Sequence, residues 1–218
     1  ILFTLIIYAK TFKNIIKLRR FNLKFEKINI NLGISSSLSK AVSNLVWRYS
    51  VLLIIGKSQS ALIFLGFSIG SLYGTLFDVS YGALFLKNFK KYKKSLLNLL
   101  YIFYLIIVFI ILVFISKFSS LSEIELNTLI ITTSLSLLGA YTMVFALDIR
   151  QHLFEIKNIQ NICFKVDIFI YLFNAALIPL LSLVNKEFIV SAYLIASIFC
   201  YSVYKATSIN AIRKKLQK

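Results

Sequence analysis

The stretch ALIFLGFSIGSLYGTLFDVSYGALFL, residues 61–86, decides the fold, because Gly66, Gly70, Gly74, Asp78 and Gly82 recur every four residues in an otherwise apolar run. Four of the chain's seven glycines lie on this stripe. In a water-soluble helix each would cost about 0.5–1 kcal/mol relative to alanine. In a bilayer the same spacing is an asset, since a row of small residues lets a neighbouring helix or a ligand approach the backbone. Asp78 stands alone among the carboxylates as deep inside an apolar run, and an intramembrane carboxylate is expensive enough to mark coupling or a structural ion pair.

Working outward from that stripe, composition sets the class. Hydrophobic residues make up 59% of the 218 and charged residues 15%, against about 45–50% and 25% in soluble domains. The reading is an all-α, multi-pass membrane protein. The formal charge of +17 would suit nucleic acid, but the basic residues gather between apolar runs, as topology signals do. No nucleic-acid partner is therefore expected.

The apolar runs give six complete spans, near residues 34–55, 61–86, 95–116, 126–147, 166–184 and 188–206. A short turn at 56–60 makes the first two a hairpin. The third span is almost free of polar groups and is expected to face lipid as scaffold. The fourth carries Thr132, Thr133, Ser134, Ser136 and Gly139, all able to pack or hydrogen-bond across helices. Asn174 and Pro179, the only proline, mark the fifth. Ahead of them residues 1–9 form half a span, and with no initiating Met they read as the end of a truncated helix. Residues 10–30 read as a basic linker lying on an anionic membrane surface. The six-helix unit occupies 31–218.

Segments 10–27, 87–94, 149–165 and 205–218 hold 20 of the 25 Lys and Arg. By the positive-inside rule these are cytoplasmic, which places the protein in the cytoplasmic (inner) membrane with both ends of the unit inside. Lys40 and Arg48 fall within the first span. With Ser36 and Asn44 they repeat every four residues and form one slowly drifting helical stripe, flanked by Trp47 and Tyr49. A charge at a helix centre costs at least about 2.5–3.5 kcal/mol on insertion scales, so the stripe is expected to face protein or a wet cavity. Counting depth from a turn centred near Ser58, Lys40 falls within a turn of Asp78 and is expected to pair with it, while Arg48 lies opposite Phe67 and Ser68. Cys163 and Cys200 lack redox or metal spacing, and the single histidine, His152, has no ligand partner at metal spacing. Neither cofactor nor metal is expected.

The hairpin sequence from Trp47 to Lys87 resembles the first hairpin of a lobe in the multidrug/oligosaccharidyl-lipid/polysaccharide exporter superfamily, and its polysaccharide flippases in particular. A six-helix unit entered through a helix and a basic linker is similar to that family's C-terminal lobe. The resemblance implies an N-terminal lobe of the same chain upstream, and a central cavity whose cationic side chains receive a lipid-linked oligosaccharide diphosphate for transfer to the outer leaflet. Lys40 and Arg48 are the matching positions, Asn44, Trp47 and Tyr49 their neighbours in binding, and Asp78 with Gly66, Gly70, Gly74 and Gly82 the structural or coupling set. Tyr73 and Tyr81 join Trp47 and Tyr49 as rings able to stack on sugars. The implied protein is a transporter and not an enzyme. Two alternatives stand beside it: a cation-coupled drug or small-molecule exporter of the same fold, which would couple through intramembrane carboxylates, and a membrane-embedded glycan polymerase or transferase, for which Asp148, His152 and Glu155 form the one candidate cluster.

Overall fold

The computed structural model describes the backbone of residues 30–80, 94–155 and 159–216, and side chains within 31–76, 98–154 and 159–210. The expected partial helix at 1–9, the linker at 10–30, Tyr81, Gly82 and the side chains of Asp78 and Glu155 lie outside the described residues. Within them the chain is helical, with no strand: α1 (Ile30–Ile55), α2 (Lys57–Ser80), α3 (Lys94–Phe118), α4 (Glu123–Glu155), α5 (Gln160–Val184), a 3-10 turn (Lys186–Ser191) and α6 (Ala192–Leu216). Six helical stretches are long and apolar enough to cross a membrane, as the hydrophobic runs predict.

Local chemistry sets the boundaries. The α1–α2 turn is one residue, Gly56, at φ +90°, a conformation that glycine reaches without steric cost. It replaces the five-residue turn expected from the sequence. Shortening it moves the level of Lys40 along α2 to about Leu72, well short of Asp78. Ser122 caps α4: Glu125 accepts from the Ser122 amide and hydroxyl, both at 2.9 Å, and the Glu125 amide donates back to Ser122 Oγ at 3.4 Å. Asn185 opens the 3-10 turn by accepting from the Glu187 amide at 2.9 Å. At its far end α4 continues through Asp148, Arg150 and His152 to Glu155, where the sequence reading expects a connecting segment from 148 onward.

The glycine stripe builds the core of the bundle. The most extensive helix contact is α2 against α4, with Gly66 on Thr132 and Thr133, Gly70 on Ser136 and Gly74 near Ala140. Both sets ascend together, so the two helices run parallel. A β-carbon on Gly70 would fall 2.3 Å from Ser136 Cβ and 2.7 Å from the Thr133 carbonyl oxygen; only hydrogen fits there. On its other side α4 packs along α6, where a β-carbon on Gly139 would meet the Tyr193 ring at 2.6 Å. Parallel packing of α1 on α5 is fixed by Gly33 against Phe164 and Ser36 against Asp167. Thinner contacts, α5 with α6 and α1 with α2, close a ring in the order α1, α2, α4, α6, α5.

α3 stays outside this ring. It turns Phe103, Ile106, Phe109, Ile110 and Phe114 outward, as a lipid-facing helix should. Tyrosines dock it: Tyr101 donates to the Leu137 carbonyl at 3.0 Å, Tyr104 to the Ile69 carbonyl, and both rings lie against Tyr73. Their packing with Val108, Leu137, Ala140 and Val144 makes one of three buried clusters.

Candidate functional site

The ring of five helices encloses a cavity of about 730 Å³, within the range of small-ligand sites. From α1 it takes Lys40, Ser43, Asn44, Trp47 and Arg48. Opposite them α2 contributes Phe64, Phe67, Ser68, Ser71 and Thr75. Met143 of α4, Tyr171 and Asn174 of α5, and Tyr193, Ala196 and Ser197 of α6 complete the wall. The polar stripe of the first span therefore faces the interior at Lys40, Asn44 and Arg48, the placement that the insertion cost of charge demands. Lys40, Asn44, Arg48, Ser68 and Thr75 all keep exposed surface, so the cavity is open to one side, where α1 and α2 touch least.

Two positive charges face this space, and none of the described residues that line it is a carboxylate. Among the described residues no carboxylate forms an ion pair with Arg48. A guanidinium so placed offers a planar fork of donors and a lysine a point charge, both matched to phosphate oxygens and both stronger away from bulk water. Aromatic surface comes from Trp47, Phe64, Phe67, Tyr171 and Tyr193. Trp47 packs on Phe67 with centroids 4.7 Å apart and on Phe64 at 6.4 Å. Beyond these rings a buried apolar cluster, including Val51, Ile63, Leu177, Ile178 and Ile189, separates the cavity from the end that carries Gly56 and Asn185.

Other expected positions fall elsewhere. Ser36 lies in line with the stripe but donates to Asp167 Oδ2 at 3.3 Å and does not line the cavity. Tyr49 does not line the cavity either: its side chain is 63% exposed. It is a correction to the sequence reading, in which Tyr49 neighbours Arg48 along the chain; one residue is a rotation of 100°, enough to carry it to the outer face. Tyr73, a candidate for sugar stacking, is buried among the α3 tyrosines and so is a packing residue. Gly66, Gly70 and Gly74 serve the α2–α4 contact. The Lys40–Asp78 pairing lies outside the described residues. Asp148 and His152 approach to 3.6 Å one turn apart on α4, with His152 over half exposed.

The expectation that Asp78 stands alone as a deep carboxylate is overturned by Asp167, whose side chain is fully buried. Helix α5 begins at Gln160, so Asp167 lies two turns inside it and not at the edge of a span. Arg150, read from sequence as a connecting-segment base, binds it in a fork: Nε to Oδ1 at 3.0 Å and Nη2 to Oδ2 at 2.6 Å. Tyr204 donates to Oδ1 at 2.5 Å. Together with Ser36 these side chains tie α1, α4, α5 and α6 at one end of the cavity, beside a cluster of Ala146, Leu153, Cys163, Ile170 and Cys200. A carboxylate so saturated is a structural hub, not a free coupling group.

No protein-family model, curated protein or solved structure matches this chain. The site's chemistry carries the functional argument by itself. Sequence reasoning missed the wall formed by Tyr171, Tyr193 and Ser197. The available signal was the spacing of Tyr193 and Ser197, one helical turn apart in the last span.

Proposed function

We propose that this chain is a lobe of a flippase that carries a lipid-linked oligosaccharide diphosphate from the cytoplasmic to the outer leaflet of the inner membrane. The observation that carries the reading is the cavity's charge: both intramembrane cations of α1 face it, and among the described residues no carboxylate lines it. An acceptor-only diphosphate is the ligand class such a wall selects. Serine, threonine and asparagine side chains on four helices suit sugar hydroxyls, and the aromatic rings suit sugar faces. The opening between α1 and α2 would admit the sugar while the prenyl chain stays in lipid. Under the expected orientation the apolar cluster at the Gly56 end closes the outer side, so this is the inward-facing form. Transport would then proceed by rocking against a partner lobe around the fixed site.

A cation-coupled exporter is the weaker reading, because the buried carboxylate that the structure adds, Asp167, already holds Arg150 and Tyr204. The test is glycan export in cells expressing the complete gene, with membrane abundance followed in parallel. Arg48→Ala should abolish export at normal abundance, and Arg48→Lys should restore part of it, since lysine lacks the forked contact. Normal export by Arg48→Ala at normal abundance would refute the reading.

A further inference from the structure

The cavity wall holds a group that the two cations do not explain. Asn174 of α5 lines the cavity, and its Oδ1 is buried, with no hydrogen-bond donor from the described residues reaching it. Buried polar atoms almost always find partners, and an orphan of this kind weakens the fold, the more so in a membrane interior. Pro179, five residues on, has no amide hydrogen, so the Ala175 carbonyl next to Asn174 in the chain also lacks its helical donor. Asn174 Oδ1 is therefore an unpaired acceptor on a wall that carries the Lys40 and Arg48 donors.

Register places Asn174 beside the cations. Gly33 against Phe164 and Ser36 against Asp167 fix one constant offset between the parallel helices α1 and α5. Carried along both helices, that offset sets Asn174 level with Ser43 and Asn44, midway between Lys40 and Arg48. Phosphate at neutral pH is an acceptor without hydrogens to give, so it satisfies the cations and cannot satisfy Asn174. A ligand that fits this level must present anionic oxygens and, within a few ångströms, a hydroxyl or amide hydrogen. A glycosyl diphosphate has that pairing of groups; a fatty acid, a bare prenyl diphosphate or a lipophilic cation does not.

We propose that Asn174 is the specificity residue of the cavity: its amide turns Oδ1 out of the wall to accept a hydrogen bond from a hydroxyl or acetamido N–H of the sugar bonded directly to the diphosphate. This inference rests on the flippase reading above and extends it from the anion to the first sugar. It assigns the two jobs to separate helices: α1 holds charge, and α5 tells a glycosylated carrier from an empty one. Such discrimination suits a carrier that must not return bare lipid diphosphate in place of its loaded form. Asn174 tolerates its unpaired oxygen in the empty state as the counterpart of a hydrogen bond made only with ligand.

The experiment measures the affinity of the purified, full-length protein in detergent for two probes: farnesyl diphosphate, and farnesyl diphosphate carrying one N-acetylglucosamine on the terminal phosphate. Wild type should bind the glycosylated probe about 10-fold more tightly, the effect of one hydrogen bond to an otherwise unpaired buried acceptor. Asn174→Leu, near in volume and without the acceptor, should abolish that preference, leave farnesyl diphosphate binding unchanged, and raise the melting temperature of the ligand-free protein. Arg48→Ala should weaken both probes in parallel. A wild type without preference, or an Asn174→Leu variant that keeps it, would overturn the role of Asn174 and leave the anion site standing. Unchanged binding of both probes by Arg48→Ala would instead overturn the flippase reading beneath it. Should Asn174→Leu melt below wild type, the asparagine is structural, and the same inference fails.

Discussion

Asp167 shows how the value of one residue depends on its partners. In isolation a buried carboxylate is costly. With Arg150 forked onto both oxygens and the Tyr204 hydroxyl on one of them, it joins four helices. Removing one member of such a pair leaves the other buried and uncompensated, at a cost of about 3–5 kcal/mol. We expect Asp167→Asn to reduce the folded fraction in the membrane by that measure, whereas Arg48→Ala, on the open cavity wall, keeps its own; size-exclusion recovery and thermal unfolding in detergent check it, and wild-type stability of Asp167→Asn would dismiss the hub. This pair was not legible in the sequence. Arg150 counts as a loop base as long as the fourth span ends near residue 147, and Asp167 as an edge residue as long as the fifth starts near 166. Only the extension of α4 to Glu155 and of α5 back to Gln160 brings them face to face. The polar stripe of α1 was legible, because the insertion cost of charge gives each such residue a direction.

At the scale of the element, the glycine stripe reads from sequence as a face for a helix or a ligand, and its described members Gly66, Gly70 and Gly74 pack on α4. Its partner was not assigned, although Thr132, Ser136 and Ala140 of α4 share the four-residue rhythm. The interface grades along its length. At Gly70 an added methyl group meets Ser136 Cβ and the Thr133 backbone within 3 Å, and backbone cannot swing away; at Gly74 the nearest atom is the Tyr193 hydroxyl oxygen at 3.4 Å, which is ordinary contact. Gly70→Ala should therefore destabilise by about 1–3 kcal/mol or more, the cost of overpacking, and Gly74→Ala should be close to neutral. Unfolding of the two single variants under identical conditions decides this; equal losses would mean that α2 and α4 are not packed as described. The same close packing explains why α4 is the central helix although its sequence is less apolar than that of α3. Small and hydroxyl-bearing side chains build helix contacts in a membrane, and the greasiest helix is left to face lipid.

Across the whole molecule the arrangement is a ring of five helices, α1, α2, α4, α6 and α5, with α3 docked outside by tyrosines. Helix number and hydrophobic character followed from composition and run length. The ring order did not, since it depends on contacts between helices distant in sequence, such as α1 with α5, whose register is set by a few residues. Neither did the cavity, whose α5 and α6 wall is formed by Tyr171, Asn174, Tyr193, Ala196 and Ser197, residues of two spans that only the packing brings to one level. The central claim is that this cavity, and not the outer surface of the bundle, takes a prenyl-linked diphosphate. Site-specific photo-crosslinking in native membranes tests it most directly, with a photoreactive amino acid placed at Ser71 inside the cavity or at Ile110 on the exposed face of α3. The account predicts a covalent adduct with a glycosylated prenyl diphosphate from Ser71, lost on Arg48→Ala and absent from Ile110. Equal adducts at both positions, or an adduct at Ser71 indifferent to Arg48, would contradict it.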